Sequence, residues 1–210
     1  MPAQSSARRR LTQKVVPARG TALLLIDVIN DLSFEGSETM IPEAERMALR
    51  LARLKRRVTR AGIPVVYVND NFGRWRSDFR HTVAHCTSPS SPGRIVSSRL
   101  RPTQQDYFVL KPKHSGFYGT TLEALLGELR VKRVIVTGIA GDICVLFTAN
   151  DAYMRDLTVL VPCDCTVSNT PAENEHALHQ IKKTLKGDVR ASEQLSFTGR
   201  ARRVRLASER

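Results

Sequence analysis

Short, uninterrupted apolar runs alternate along this chain with stretches whose apolar positions recur every three or four residues. Ala22-Leu23-Leu24-Leu25-Ile26 is such a run, as a strand buried on both faces requires. Pro64 to Val68, Tyr107 to Leu110, Arg133 to Val136 and Thr158 to Val161 read the same way, and Asp188 to Arg190 adds a short last strand. Between them the period changes. From Glu43 to Ala61, Ala44, Met47, Ala48, Leu51, Leu54 and Val58 form one helical stripe, and Gly62 follows as a C-terminal stop. Helices are expected over 121–130, 142–155 and 171–185 as well.

A strand–helix series of this kind implies a parallel sheet with helices on both faces. The expected fold class is α/β: a three-layer α/β/α, Rossmann-like domain with a mostly parallel sheet of about six strands. Ligand chemistry in such sheets lies beyond the carboxyl ends of the strands. The stretch 69–103 breaks the pattern, being rich in Pro, Ser, Gly and Arg with little periodicity. It reads as a lid or substrate loop, or equally as a partly disordered insert.

Composition narrows the class. A chain of 210 residues with 41% hydrophobic and 25% charged content suits one soluble domain. No apolar stretch approaches a membrane span, and the first residues lack the apolar core of a secretory signal. Four cysteines, two of them in Cys163-Asp164-Cys165, form no disulfide framework, so a cytoplasmic setting is expected. The net charge of +13 is concentrated at the ends: residues 1–20 carry +5 and residues 198–210 carry +4. The chain therefore divides into a basic, flexible N-terminal arm (1–20), a body (21–197) and a basic tail (198–210). Such arms can bind nucleic acid without specificity, or can simply be solvated ends.

Three reactive side chains stand at strand exits. Asp27 follows the first apolar run, Lys111 follows the third, and Cys144 lies just past the fourth, in Gly138-Ile139-Ala140-Gly141-Asp142-Ile143-Cys144-Val145. Each has an ordinary reading as a strand-end charge or a small buried residue. Their chemistry is nonetheless complementary. A carboxylate can take a thiol proton and later activate water, an ammonium can lower the thiol pKa, and N–H groups at a helix start can stabilise a thiolate and hold an oxyanion.

Four segments resemble the isochorismatase-like cysteine hydrolases, the superfamily that includes nicotinamidases and N-carbamoylsarcosine amidases. They are Leu24 to Asp31, Lys111 to Thr120, Gly138 to Val145 and Val161 to Asp164. The resemblance runs from about Thr21 to Leu195. It implies a cofactor-free hydrolase with Cys144 as nucleophile, Asp27 as general base and Lys111 as third triad member. A non-proline cis peptide is implied at Ala140-Gly141, with the N–H groups of Gly141 and Cys144 forming an oxyanion hole. Asn71, Trp75 and Phe117 are the expected substrate contacts, and a homodimer or homotetramer the expected assembly. The chain departs from the family pattern at Ile29, Leu32 and Gly141. It also reads Asn69-Asp70-Asn71-Phe72 where metal-dependent nicotinamidases carry Asp-x-His, so no metal is expected. The retained cysteine favours amide over ether chemistry. The competing readings are an isochorismatase-type ether hydrolase and a non-enzymatic protein that binds nucleic acid through its tails.

Other candidates are weaker. His81, His85 and Cys86 could share a helical face as metal ligands, but no fourth ligand is evident. His176 and His179 read as surface residues. Phe72, Trp75 and Phe79, interleaved with Arg74, Arg76 and Arg80, form an aromatic-basic loop suited to capping a pocket, selecting an anion or meeting another subunit.

Overall fold

The buried run Thr21–Ile26 sends alternate side chains to opposite faces of a sheet. Leu23 and Leu25 enter one hydrophobic cluster, while Ala22, Leu24 and Ile26 enter the other. The computed structural model describes residues 13–73 and 78–199. Its elements begin with β1 (Lys14–Pro17), β2 (Thr21–Ile26), α1 (Ser37–Arg60), β3 (Val65–Asp70), α2 (Phe79–Cys86) and α3 (Arg94–Arg99). β4 (Tyr107–Lys111), α4 (Leu122–Glu128) and β5 (Arg133–Ile139) follow, and a π-helical turn, Gly141–Val145, leads into α5 (Leu146–Tyr153). β6 (Thr158–Leu160), β7 (Thr166–Val167), α6 (Pro171–Lys183) and β8 (Leu195–Thr198) complete the order.

Six strands form one parallel sheet in the order β4-β3-β2-β5-β6, with β7 pairing on β5. One face is covered by α1, α2 and α3 through Met47, Leu51, Leu54, Val83 and Val96. The other is covered by α4, α5 and α6 through Leu122, Leu126, Ala149, Ala152 and Ile181. This is the expected three-layer α/β/α fold. β2 lies at the centre, so Asp27 leaves the sheet between its two neighbours β3 and β5.

The structure departs from the sequence reading in four places. α1 starts at Ser37, six residues before Glu43, and Met40 extends its buried stripe past Pro42. The segment 188–190 forms only a single bridge, Leu160 to Asp188, while the terminal strand is β8. The N-terminal arm is corrected at its end: β1 pairs in parallel with β8, Val16 is buried, and Lys14 bonds Asp188 at 2.8 Å. Four residues are too few to show a period, and their partner lies some 180 positions away, so local pattern could not find the pair. Residues 1–12 and the tail from 200 onward lie outside the described residues.

The insert is also corrected, because it contains two helices. Asp78 caps α2 by accepting from His81 N–H, and Phe79 stacks on Phe108 at 5.2 Å. α3 is bound to the loop after Asp27: Ser97 Oγ donates to Asn30 O and accepts from Asn30 N–H, and Gly93 N–H donates to Asp31 O at 2.8 Å. His85 meets Asp31 at 2.9 Å, and His81 pairs with Asp78. Among the described residues no group of three or more His, Cys, Asp or Glu is placed to hold a metal ion, so the two histidines are engaged separately. No described helix is long and apolar enough to cross a membrane.

Gly138 sets the spacing between β5 and β2. Its φ is 115°, and a Cβ there would overlap the carbonyl of Ile26, the residue before Asp27. Gly138→Ala is expected to cost about 3 kcal/mol, as strained or overpacked sites do, read as a lowered urea midpoint; an unchanged midpoint would contradict this close approach.

Candidate active site

Parallel strands in register end side by side, and here three of those ends carry charge. Asp27 immediately follows β2, Asp70 closes β3, and Lys111 closes β4 directly opposite Asp70. Lys111 has no exposed side-chain surface. Its Nζ lies 2.9 Å from Asp27 Oδ2, 3.3 Å from Asp70 Oδ2 and 3.5 Å from Cys144 Sγ. An ammonium has three protons, and each has an acceptor here. Asp27 sits at a φ of 49° and takes a 2.6 Å hydrogen bond from the Asp70 backbone N–H on its Oδ1. The sequence-expected Asp27, Lys111 and Cys144 are thus brought together.

Electrostatics separates their roles. Burial raises the Asp27 carboxyl above the ordinary carboxylate range, although Lys111, Cys144 and the Asp70 N–H all pull it down. Burial would also discharge Lys111, but Asp27, Cys144 and Asp70 outweigh it and hold the ammonium above its usual value. Burial and the neighbouring Asp27 push the Cys144 thiol up to about 12, against the pull of Lys111. The helix start expected at Cys144 is present as a π-helical turn, and burial and the neighbouring carboxylate oppose its stabilisation of a thiolate. Cys144 lies inside the π-helical turn, two residues before α5 begins, with a carboxylate beside it. These directions favour a thiol next to a carboxylate of raised basicity.

The turn that presents Cys144 is braced from outside. Asp142 N–H donates to Ser168 Oγ, and Ile143 and Val145 N–H both donate to Ala140 O. The cis peptide is Ile139–Ala140, one bond before the expected Ala140–Gly141, because β5 runs through Ile139 and the chain leaves the strand at Ala140. Gly141 has no room for a side chain: a Cβ would overlap Asn174 Oδ1 and touch Ser168 Oγ. Asn174 on α6 therefore occupies space that a larger residue at 141 would need.

Asn69 and Thr148 had no signal in sequence pattern, while Ser115 stood within the segment Lys111 to Thr120. Asn69, fully buried, donates from Nδ2 to Ile29 O at 2.7 Å and ties down the chain after Asp27. Thr148 Oγ donates to Cys144 O at 2.7 Å and accepts from Gly116 N–H at 2.9 Å, joining the cysteine turn to the loop after Lys111. Ser115 donates to Asp151 at 2.5 Å across the same junction.

The expected substrate contacts fare differently. Asn71 stays beside the site, its N–H donating to Lys111 O while its Oδ1 accepts from Gly73 N–H. Phe117 is a correction. It is buried in the apolar layer beneath the Arg155 guanidinium, 4.7 Å away, because Ser115 draws this loop down onto α5. Trp75, with Arg74 and Arg76, lies outside the described residues. Phe72 is exposed and Phe79 is buried. Ile143 and Phe147, exposed on either side of Cys144 in sequence, and His114, in ring contact with Phe147 at 5.5 Å, carry apolar surface on the same elements. Asp164 is engaged elsewhere, accepting from Ser192 N–H and Oγ. Two surface clefts, one around Phe34 and Ile41 and one around Met154 and Leu185, are lined by none of Asp27, Asp70, Lys111 and Cys144.

A parallel α/β/α sheet with a carboxylate, an ammonium and a thiol at adjoining strand ends defines a class of hydrolase fold. The isochorismatase domain model matches residues 21–194, and this chain belongs to the isochorismatase family of hydrolases. It is 41% identical over 174 residues to an uncharacterized isochorismatase family protein, YaaI, of Bacillus subtilis strain 168, covering 83% of this chain and 95% of that protein. It is 28% identical over 223 residues to the ureidoacrylate amidohydrolase RutB of Methylorubrum extorquens, covering 89% and 87%. Among solved structures, N-carbamoylsarcosine amidase from Thermoplasma acidophilum superposes with a TM-score of 0.63 at 27% identity, covering 82% of this chain and 96% of that one.

Two outcomes are expected. Iodoacetamide labelling of Cys144, followed by mass spectrometry, should climb without a plateau between pH 7 and 9.5, since a raised thiol pKa delays ionisation; a plateau below pH 9 would contradict it. Gly141→Ala should lower stability by about 1–3 kcal/mol, and in urea unfolding the double variant with Asn174→Ala should be more stable than the two single losses summed.

Proposed function

We propose that the chain hydrolyses a small-molecule amide or related C–N bond through a thioester on Cys144. The 2.9 Å Asp27–Lys111 pair, with Cys144 Sγ 3.5 Å from the same ammonium, is the observation that supports this reading. As the thiol attacks the substrate carbonyl, its proton passes to Asp27, the C–S bond forms and the carbonyl π pair moves onto oxygen. The N–H groups of Gly141 and Cys144 are assigned to that oxyanion. Collapse breaks the C–N bond, and the leaving nitrogen takes the proton from Asp27. Asp27 then takes a proton from water as it adds to the thioester, and the acid is released with the thiol restored. A thiol that ionises only as the carbonyl accepts charge suits this order, because it stays unreactive without substrate.

The relatives suggest where to look. Ureidoacrylate and N-carbamoylsarcosine, after which two similar proteins are named, both carry a carbamoyl group on nitrogen. A panel of N-carbamoyl compounds, simple primary amides and isochorismate tests the reading directly. Turnover of a member of the first two groups, reduced at least ~10³-fold in Cys144→Ala, is the expected result. Turnover of isochorismate alone, or a Cys144→Ala protein of undiminished activity, would replace amide chemistry with ether hydrolysis or discard the nucleophile.

A further inference from the structure

Lys111 faces two carboxylates, and the proposed reaction uses only one. Asp70 is the cross-strand partner of Lys111 in the β3–β4 register, and its Oδ2 lies 3.3 Å from Nζ. Its own conformation is determined from two sides. Phe72 N–H donates to Asp70 Oδ1 at 2.7 Å, and the Asp70 backbone N–H donates to Asp27 Oδ1 at 2.6 Å. One residue thus orients the base through its main chain and touches the ammonium through its side chain. Unlike Lys111, whose side chain is 0% exposed, Asp70 keeps 27% of its side chain exposed, so its charge is partly solvated without any partner.

The reaction gives this arrangement a purpose. At rest, Asp27 balances Lys111. When the S–H bond breaks and Asp27 accepts the proton, that balance is lost while the new negative charge sits on the former carbonyl oxygen. A fully buried ammonium without a counter-ion either loses its proton or moves toward solvent. A second carboxylate that takes no part in proton transfer prevents both.

We propose that Asp70 is a positioning residue, the permanent counter-ion of Lys111, which keeps the ammonium charged and in place while Asp27 holds the thiol proton. The proposal rests on the cysteine-hydrolase reading above. A strand-end carboxylate too well solvated to act on the ammonium would leave the titration of the site and kcat unchanged. The titratable groups that face Asp70 among the described residues are Lys111 on β4, Asp27 after β2 and, through Lys111, Cys144.

The test compares the full-length wild type with Asp70→Asn, Asp70→Glu and Lys111→Ala, each checked for folding by thermal melting. The pH dependence of Cys144 labelling by iodoacetamide needs no substrate. Removing the Asp70 charge leaves the field of Lys111 less neutralised, so the Asp70→Asn labelling curve should move to lower pH by about one unit. Asp70→Glu should restore it, and Lys111→Ala should move it the opposite way. With an amide substrate in hand, kcat for Asp70→Asn should fall about tenfold, with KM little changed and both limbs of the pH profile displaced downward. A folded Asp70→Asn protein with an unmoved labelling curve and unaltered kcat overturns the proposal while Lys111→Ala still shifts the curve. If Lys111→Ala moves nothing either, and Cys144→Ala retains turnover, the failure belongs to the cysteine-hydrolase reading itself.

Discussion

A lysine side chain with no contact with solvent is the constraint around which the site is arranged. Transferring an ammonium from water into a protein interior costs several kcal/mol even after relaxation, and only close, well-aligned acceptors offset that cost. Lys111 finds them because β2, β3 and β4 are adjacent and parallel and end at the same level. Shifting β4 by one residue would turn Lys111 to the other face of the sheet and place a neighbour of different chemistry beside Asp70. Register, a property of the whole sheet, is therefore also a property of the site.

Neutral hydrogen bonds hold the charged groups to their positions. Asn69 and Ser97 secure the chain that follows Asp27, Thr148 joins the Cys144 turn to the loop after Lys111, and Ser168, just after β7, and Asn174 on α6 back the same turn. Buried polar groups of this kind are costly unless satisfied, and each of these is paired with backbone or with another side chain. The insert between β3 and β4 belongs to this support. Its helix α3 is bonded to Asn30 and Asp31, so the segment that looked irregular in sequence braces the loop leaving Asp27.

The same burial that isolates Lys111 pushes the Cys144 thiol upward. A carboxylate of raised basicity, an ammonium held charged and a thiol raised to about 12 form a site whose charge separation waits for a substrate. In the proposed reaction, activation then falls to the turn whose N–H groups are assigned to the oxyanion. Membership of the isochorismatase family agrees with such a site, and the relatives named for ureidoacrylate and N-carbamoylsarcosine act as amidohydrolase and amidase.

Local pattern was sufficient for much of this protein. Continuous apolar runs such as Ala22 to Ile26 and the stripe from Ala44 to Val58 determine strands and helices directly, because burial on two faces or one imposes its own period. The strand–helix order then implies a parallel sheet, and a parallel sheet brings Asp27, Lys111 and Cys144 to one edge. Tertiary structure decided what has no period. The β1–β8 pair joins residues at opposite ends of the chain, and the helices of the insert depend on what they pack against. Phe117 resembled a ligand contact until the Ser115–Asp151 bond drew its loop into the core. In sequence Asp70 stood only within the stretch that departs from a metal motif; the fold sets it opposite Lys111, with its backbone N–H on Asp27. The state of Cys144 was least legible of all, since a thiol's ionisation depends on burial and on charges that only the folded chain brings within a few ångströms.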